Sequence, residues 1–142
     1  LKKSAESIQA YQQKNYYAGK WNQDYAALTY FLIGQAQGPD KDTIARVNAL
    51  TYDMIFTQPV IEEFKYLQVP TRLILGTRDR TAPGRNWKKA GVDFELGRYD
   101  LLGERVLKQL QDGALYPLAG LGHLPQIEDF SRFKKALNKA LQ

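Results

Sequence analysis

The sequence predicts an α/β chain in which a helical first part precedes a strand–helix–strand–helix unit, and that unit forms an incomplete parallel sheet. Three observations predict it. Up to about residue 57, apolar positions recur at three- and four-residue spacing and β-branched runs are missing, which is the helical period. Residues 69–76, Val-Pro-Thr-Arg-Leu-Ile-Leu-Gly, make a compact apolar run between turn signals, which suits a strand buried on both faces. Strand and helix then alternate, and such alternation builds a parallel sheet with helices on its faces. The chain divides accordingly into a helical region, 1–58, and an α/β region, 59–142.

Three helices account for the first region. The first runs from about Ser4, an N-cap by residue type, through Ile8 and Tyr11. The second follows Asn22, with Tyr25, Leu28, Leu32 and Ala36 in step, until Gly38-Pro39 breaks the chain. The third begins near Asp40, carries Ile44, Val47, Leu50 and Met54 on one face, and is stopped by Pro59, whose ring cannot continue a helix.

After the strand at 69–76 comes a polar, Gly-rich segment from Thr77 to Arg98. A helix from about Asp100 to Gln111 keeps Leu102, Val106 and Leu110 in phase, with Gly113 as the residue just past its end. Ala114–Ala119 reads as the second strand. Gly120-Leu121-Gly122-His123-Leu124-Pro125 makes a tight turn, and a last helix holds Phe130, Phe133, Leu137 and Leu141 on one stripe. Two strands make a sheet that is marginal in water, so the remaining strands are expected upstream, on another chain, or in a swapped dimer.

Composition narrows the function classes. With 44% hydrophobic and 25% charged residues the chain is an ordinary globular sequence rather than a disordered one. No apolar run approaches the ~20 residues that cross a bilayer, and the opening LKKSAESIQA lacks the apolar middle of a signal peptide. The chain therefore reads as soluble, and the compartment stays open between cytoplasm and periplasm. With no cysteine, disulfides and thiolate chemistry are excluded; with one histidine and scattered carboxylates, no metal site is expected. The net charge of +5 raises the question of nucleic acid, but the cations are scattered. Lys134, Lys135 and Lys139 read as a solvated helix face, and Lys2, Lys3, Lys14 and Lys20 match no nucleic-acid pattern.

The reactive groups of an open parallel sheet gather at the carboxyl ends of its strands. Asp79 lies just past the first strand, in Gly76-Thr77-Arg78-Asp79-Arg80-Thr81-Ala82-Pro83, and His123, the sole histidine, lies just past the second. An acid that accepts a hydrogen bond from one imidazole nitrogen fixes the tautomer and leaves the other nitrogen free to take a proton. Plainer readings stand beside this one: His123 completing a turn against Pro125, and Asp79 as an Asx-turn residue before Pro83. Glu128 reads as a helix-start or loop-bracing carboxylate rather than a proton donor.

These residues carry a resemblance. Val69-Pro70-Thr71 leading through Leu-Ile-Leu-Gly to Asp79 and Pro83 is similar to the acid strand and loop of α/β-hydrolases. Gly120-Leu121-Gly122-His123-Leu124-Pro125-Gln126-Ile127-Glu128, followed by Phe133, is similar to that family's histidine loop and last helix. Acid before histidine also fits the family order. The match covers about residues 55–142, and the preceding helices stand where many members insert a lid. Thr51 to Pro59, running into the acid strand, resembles bacterial members of the family. The chain departs from the pattern in three ways. Phe130 stands where a proline usually opens the last helix. Residues 84–98 resemble an inserted loop, which either rims the site or decorates it. No G-x-S-x-G elbow is present, and the only serines, Ser4, Ser7 and Ser131, read as capping or surface residues.

The resemblance implies the lid and C-terminal part of a hydrolase for an ester or related small, largely apolar substrate. His123 would be general base and then general acid, Asp79 its orienting partner, and the nucleophile a residue upstream. No cofactor is implied, and without the nucleophile the chain alone is expected to be inactive. The small-molecule substrate would bind only once the upstream half completes the site. Of the aromatics Trp21, Tyr25, Tyr30, Phe31, Tyr52 and Phe56, most read as packing; Met54 and Phe56, near the hinge into the α/β part, are the substrate-pocket candidates. A reading from another class is an assembly module that pairs through its open sheet edge, as a homodimer or domain swap.

Overall fold

A computed structural model describes residues 4–142; Lys2 and Lys3 lie outside the described residues. The helical part comprises α1 (Ala5–Asn15), α2 (Gln23–Gln37) and α3 (Lys41–Thr57). The Ser4 side chain accepts a hydrogen bond from the Ser7 N–H at 3.2 Å, and Asn22 Oδ1 accepts from the Tyr25 N–H at 2.8 Å. Each satisfies an amide that the first turn leaves without a partner, worth about 1 kcal/mol. Asp40 precedes α3 without such a bond, and the helix ends at Thr57, two residues before Pro59.

The α/β part contains β1 (Thr71–Gly76), α4 (Tyr99–Leu107), β2 (Gly113–Leu118), the short α5 (Pro125–Glu128) and α6 (Phe130–Ala140). The strands are parallel neighbours, in register from Thr71 opposite Gly113 to Gly76 opposite Leu118. Strand alternation gives the pair two different faces. On one face Leu73 sits opposite Leu115 and Leu75 opposite Pro117. Helix α4 packs there through Gly103, where a Cβ would stand 2.9 Å from a Leu115 methyl and 3.0 Å from a Leu75 methyl. On the other face Ile74, Tyr116 and Leu118 pack with Leu121, Phe133 and Ala136, the last two from α6.

Several expectations are corrected. The helix after the loop ends at Leu107 rather than Gln111, and Gly113 opens β2 instead of capping that helix. Hydrogen bonds from Gln109 N–H to Val106 O and from Leu110 N–H to Leu107 O wind residues 107–110 into a tighter turn. Two short 3₁₀ helices, Ile61–Tyr66 and Arg85–Trp87, lie in stretches that the sequence leaves without an element, since neither is long enough to show a period. The strand run is not buried on both faces: Leu73, Ile74 and Leu75 are half-buried and Val69 is exposed, because two strands leave each face only partly covered. The stripe on α3 is likewise open, with Val47, Leu50 and Met54 all exposed, and so are Tyr30 and Phe31 on α2. No helix among the described residues is long and apolar enough to cross a membrane.

Candidate active site

The loops that leave β1 and β2 are joined by hydrogen bonds before they diverge. Thr77 N–H donates to Leu118 O at 3.2 Å, Arg78 N–H to Leu121 O at 2.9 Å, and Gly120 N–H to Thr77 Oγ1 at 3.0 Å. The approach is so close that a Cβ on Gly76 would meet the carbonyl oxygens of Leu121 and Gly122. This register carries Asp79 and His123 to the same point.

His123 Nδ1 lies 2.7 Å from Asp79 Oδ2, and Asp79 Oδ1 accepts the Thr81 N–H at 2.7 Å. The Thr81 hydroxyl is 3.0 Å from the same Nδ1. The Asp79 side chain is 7% exposed and that of His123 35%. Burial opposes ionisation of Asp79, but the hydrogen bonds from His123 and from the Thr81 backbone and side chain, together with the His123 charge, outweigh it. The carboxyl therefore sits below its ordinary pKa and is ionised at neutral pH. An ionised Asp79 fixes the Nδ1–H tautomer, which leaves the Nε2 lone pair unused. Nε2 has no hydrogen-bond partner among the described residues.

A second carboxylate holds the histidine loop. Glu128, in α5, accepts from the Arg78 guanidinium through one oxygen and from the Gly122 N–H through the other. Arg78 also donates to Gly120 O at 3.0 Å and to Tyr16 O at 3.3 Å. Glu128 thus braces the loop and is buried away from solvent, as its side chain is only 7% exposed. Arg78 extends the brace to the turn between α1 and α2.

That turn brings a residue the sequence did not single out. The Tyr16 ring lies 4.6 Å from the His123 ring, centroid to centroid, tilted by 51°. Beside it Tyr17 is fully buried and stacks on Tyr25 at 3.7 Å with the planes 2° apart. The adjacent pair Tyr16-Tyr17 before Gly19 was a visible signal, but nothing local shows that its destination is a loop more than a hundred residues away. Thr81 and Arg78 were visible only as members of the acid loop.

Met54 and Phe56 are placed differently from the acid and the histidine. Met54 is exposed on α3. Phe56 stands 5.8 Å from the Trp87 ring, and Tyr52 stands 5.5 Å from the same ring. Trp87 belongs to the 84–98 loop, so the C-terminal end of α3 touches that loop. A concavity between Pro70, Arg72, Ile74, Leu137 and Leu141 lies at the opposite end of β1 from Asp79. Among the described residues no cluster of three or more His, Asp or Glu gathers at one point.

The chain has a counterpart among solved structures. It is similar to the crystal structure of a probable hydrolytic enzyme from Pseudomonas aeruginosa PAO1, with a TM-score of 0.91 and 41% sequence identity over 99% of this chain. The fold is hydrolase-like. The chain spans 45% of the length of that enzyme. No protein-family model matches the chain, and comparison with the curated proteins finds no match.

Proposed function

We propose that this chain is the lid and C-terminal catalytic segment of an α/β-hydrolase that cleaves an ester or related small, largely apolar substrate. The observation that carries the reading is the 2.7 Å contact between Asp79 Oδ2 and His123 Nδ1 at the carboxyl ends of neighbouring parallel strands. In this reading Nε2 takes the proton of a nucleophile supplied from outside these residues, then returns it to the leaving group; Asp79 holds the imidazole and stabilises its charged form. Residues 1–58 act as the lid, and Met54 and Phe56 contact the substrate from its edge. The similarity to a hydrolytic enzyme more than twice as long supports completion of the sheet and the site by a further segment.

The test is ester hydrolysis by the whole protein and by its His123→Ala variant. A loss of about 10³-fold or more in kcat/KM, with the thermal midpoint held within a few degrees, is the expected result. Full turnover without the imidazole would rule the reading out.

One observation favours assembly instead. Each strand of the two-stranded sheet has one edge without a strand partner among the described residues, and such edges template strand addition. Under that reading the chain alone is a dimer at low micromolar concentration. Sedimentation of a monomer would dismiss it.

A further inference from the structure

We propose that Thr81 is a positioning residue of the Asp79–His123 pair, tying the acid to the base and holding the imidazole in one orientation through its hydroxyl. The consequence for turnover rests on the hydrolase reading; the tie itself rests on geometry alone. Thr81 touches both partners. Its N–H donates to Asp79 Oδ1 at 2.7 Å, and its Oγ1 lies 3.0 Å from the His123 Nδ1 that also meets Asp79 Oδ2 at 2.7 Å. Acid, base and threonine therefore close a ring of contacts in which each member meets the other two.

Protonation decides the direction of the third contact. Nδ1 faces an ionised carboxylate, so it carries the proton. A protonated Nδ1 has no lone pair to accept with, and Thr81 Oγ1 therefore accepts from the same N–H as a second, longer partner. The hydroxyl proton is left for the Asp79 carboxylate, and the Thr81 side chain is among the groups that keep that carboxylate ionised. A single hydrogen bond at Nδ1 leaves the ring free to swing about that nitrogen. A second acceptor there, with the Tyr16 ring 4.6 Å away, restricts the swing.

The residue type and its surroundings fit this role better than they fit packing. Thr81 is buried, and a buried hydroxyl costs free energy unless it is hydrogen-bonded. Among the described residues, the partners of its hydroxyl belong to the acid–histidine pair. Branching at Cβ restricts χ1 and so fixes where Oγ1 stands. The backbone is held from behind as well. A Cβ on Gly97, at φ +72°, would come within 2.7 Å of the Arg80 and Thr81 carbonyl oxygens, and the Arg85 guanidinium donates to Leu96 O at 2.7 Å and to Arg80 O. Segment 84–98 thus bears on the pair through Thr81.

The test sets Thr81→Val, which keeps the shape and the N–H but removes the hydroxyl, against Thr81→Ser, which keeps the hydroxyl. In the whole protein the His123 Nδ1–H is read as a downfield proton resonance, assigned by its loss in His123→Gln. Its exchange with solvent is expected to be about 5- to 10-fold faster in Thr81→Val, the scale of one net hydrogen bond, and within about 2-fold of the parent in Thr81→Ser. Ester hydrolysis should show kcat about 10-fold lower in the valine variant with KM within about 2-fold, because the lost acceptor serves the imidazolium that forms in the transition state. Serine should restore it. Unchanged exchange in Thr81→Val, a serine variant that exchanges as fast as valine, or no Nδ1–H resonance in the parent overturns the tie. Faster exchange with unchanged kcat, beside an inactive His123→Ala, overturns the part in catalysis. Were His123→Ala to retain turnover, the hydrolase reading would fall and the exchange rates would still decide the tie.

Discussion

Gly122 and Tyr16 approach each other so closely that a methyl group on the first would meet the carbonyl oxygen of the second. The contact joins the turn after α1 to the histidine loop and leaves the Tyr16 ring over His123. Gly122→Ala should therefore separate the two segments. Overpacking of a backbone contact costs about 1–3 kcal/mol, so the thermal midpoint should fall by several degrees. The uncovered imidazole should also react faster with diethyl pyrocarbonate. An alanine variant with unchanged stability and unchanged reactivity would mean that the turn does not dock there.

Glu128 gives a second prediction because it serves two donors at once, Arg78 and the Gly122 N–H. Glu128→Gln keeps the shape but removes the charge, and an amide cannot accept from both donors through two oxygens. Hydrogen bonds to a charged group contribute about 1.5–3 kcal/mol each, and the substituted amide recovers part of that. A loss of about 2 kcal/mol in chemical denaturation is expected. Arg78→Lys should cost a similar amount, since a single ammonium cannot reach Glu128, Gly120 O and Tyr16 O together. If the double variant lost the sum of the two single losses, the residues would not be acting as one brace.

How much of this was legible follows from where each signal resides. The caps Ser4 and Asn22, the stop at Pro59 and the positions of both strands are local, and the structure places each within two residues of the sequence reading. Asp79 and His123 could be singled out because strand ends and loop glycines are also local. The distance between them could not, because it is set by the parallel register of β1 on β2. Tyr16 over His123 was not legible at all: it depends on how α1 and α2 dock, and neither helix encodes a partner. Burial was the poorest reading. The apolar stripe on α3 is present as predicted, yet Val47, Leu50 and Met54 are exposed, since a period shows which face wants cover and not whether this chain supplies it.

Asp79→Asn tests the electrostatics of the pair. The folded state holds the Asp79 carboxyl below its ordinary pKa, so the unfolded chain binds more protons there as pH falls. Its contribution is present above the unfolded pKa of about 3.9 and is lost as pH drops through the folded value. The variant should therefore be less stable than the parent by about 2 kcal/mol at pH 7, with the gap closing below about pH 4. Under the proposed hydrolase function, the same change in the whole protein should lower ester turnover by about 10³- to 10⁴-fold, because an amide no longer enforces the Nδ1–H tautomer. A stability gap that persists undiminished at pH 3 would show that shape, not charge, is what Asp79 contributes.

Tyr17 supplies the opposite pH dependence. Its side chain is fully buried, and its hydroxyl has no hydrogen-bond partner among the described residues. Burial first, then Tyr25, Glu128 and Tyr16, push its pKa up to about 12. A raised acid favours the protonated, folded form. Its contribution is complete below the unfolded value of about 10 and is lost as pH rises from there through 12. Absorbance at 295 nm should accordingly show a late phenolate step, in which Tyr17 ionises only as the chain opens. Tyr17→Phe should remove that late step. Because the hydroxyl is buried without a partner, its removal should also stabilise the fold by about 1 kcal/mol while the ring keeps its stack on Tyr25. A phenylalanine variant less stable than the parent would reveal a partner for that hydroxyl, and the buried stack would then be held by more than its two ring faces.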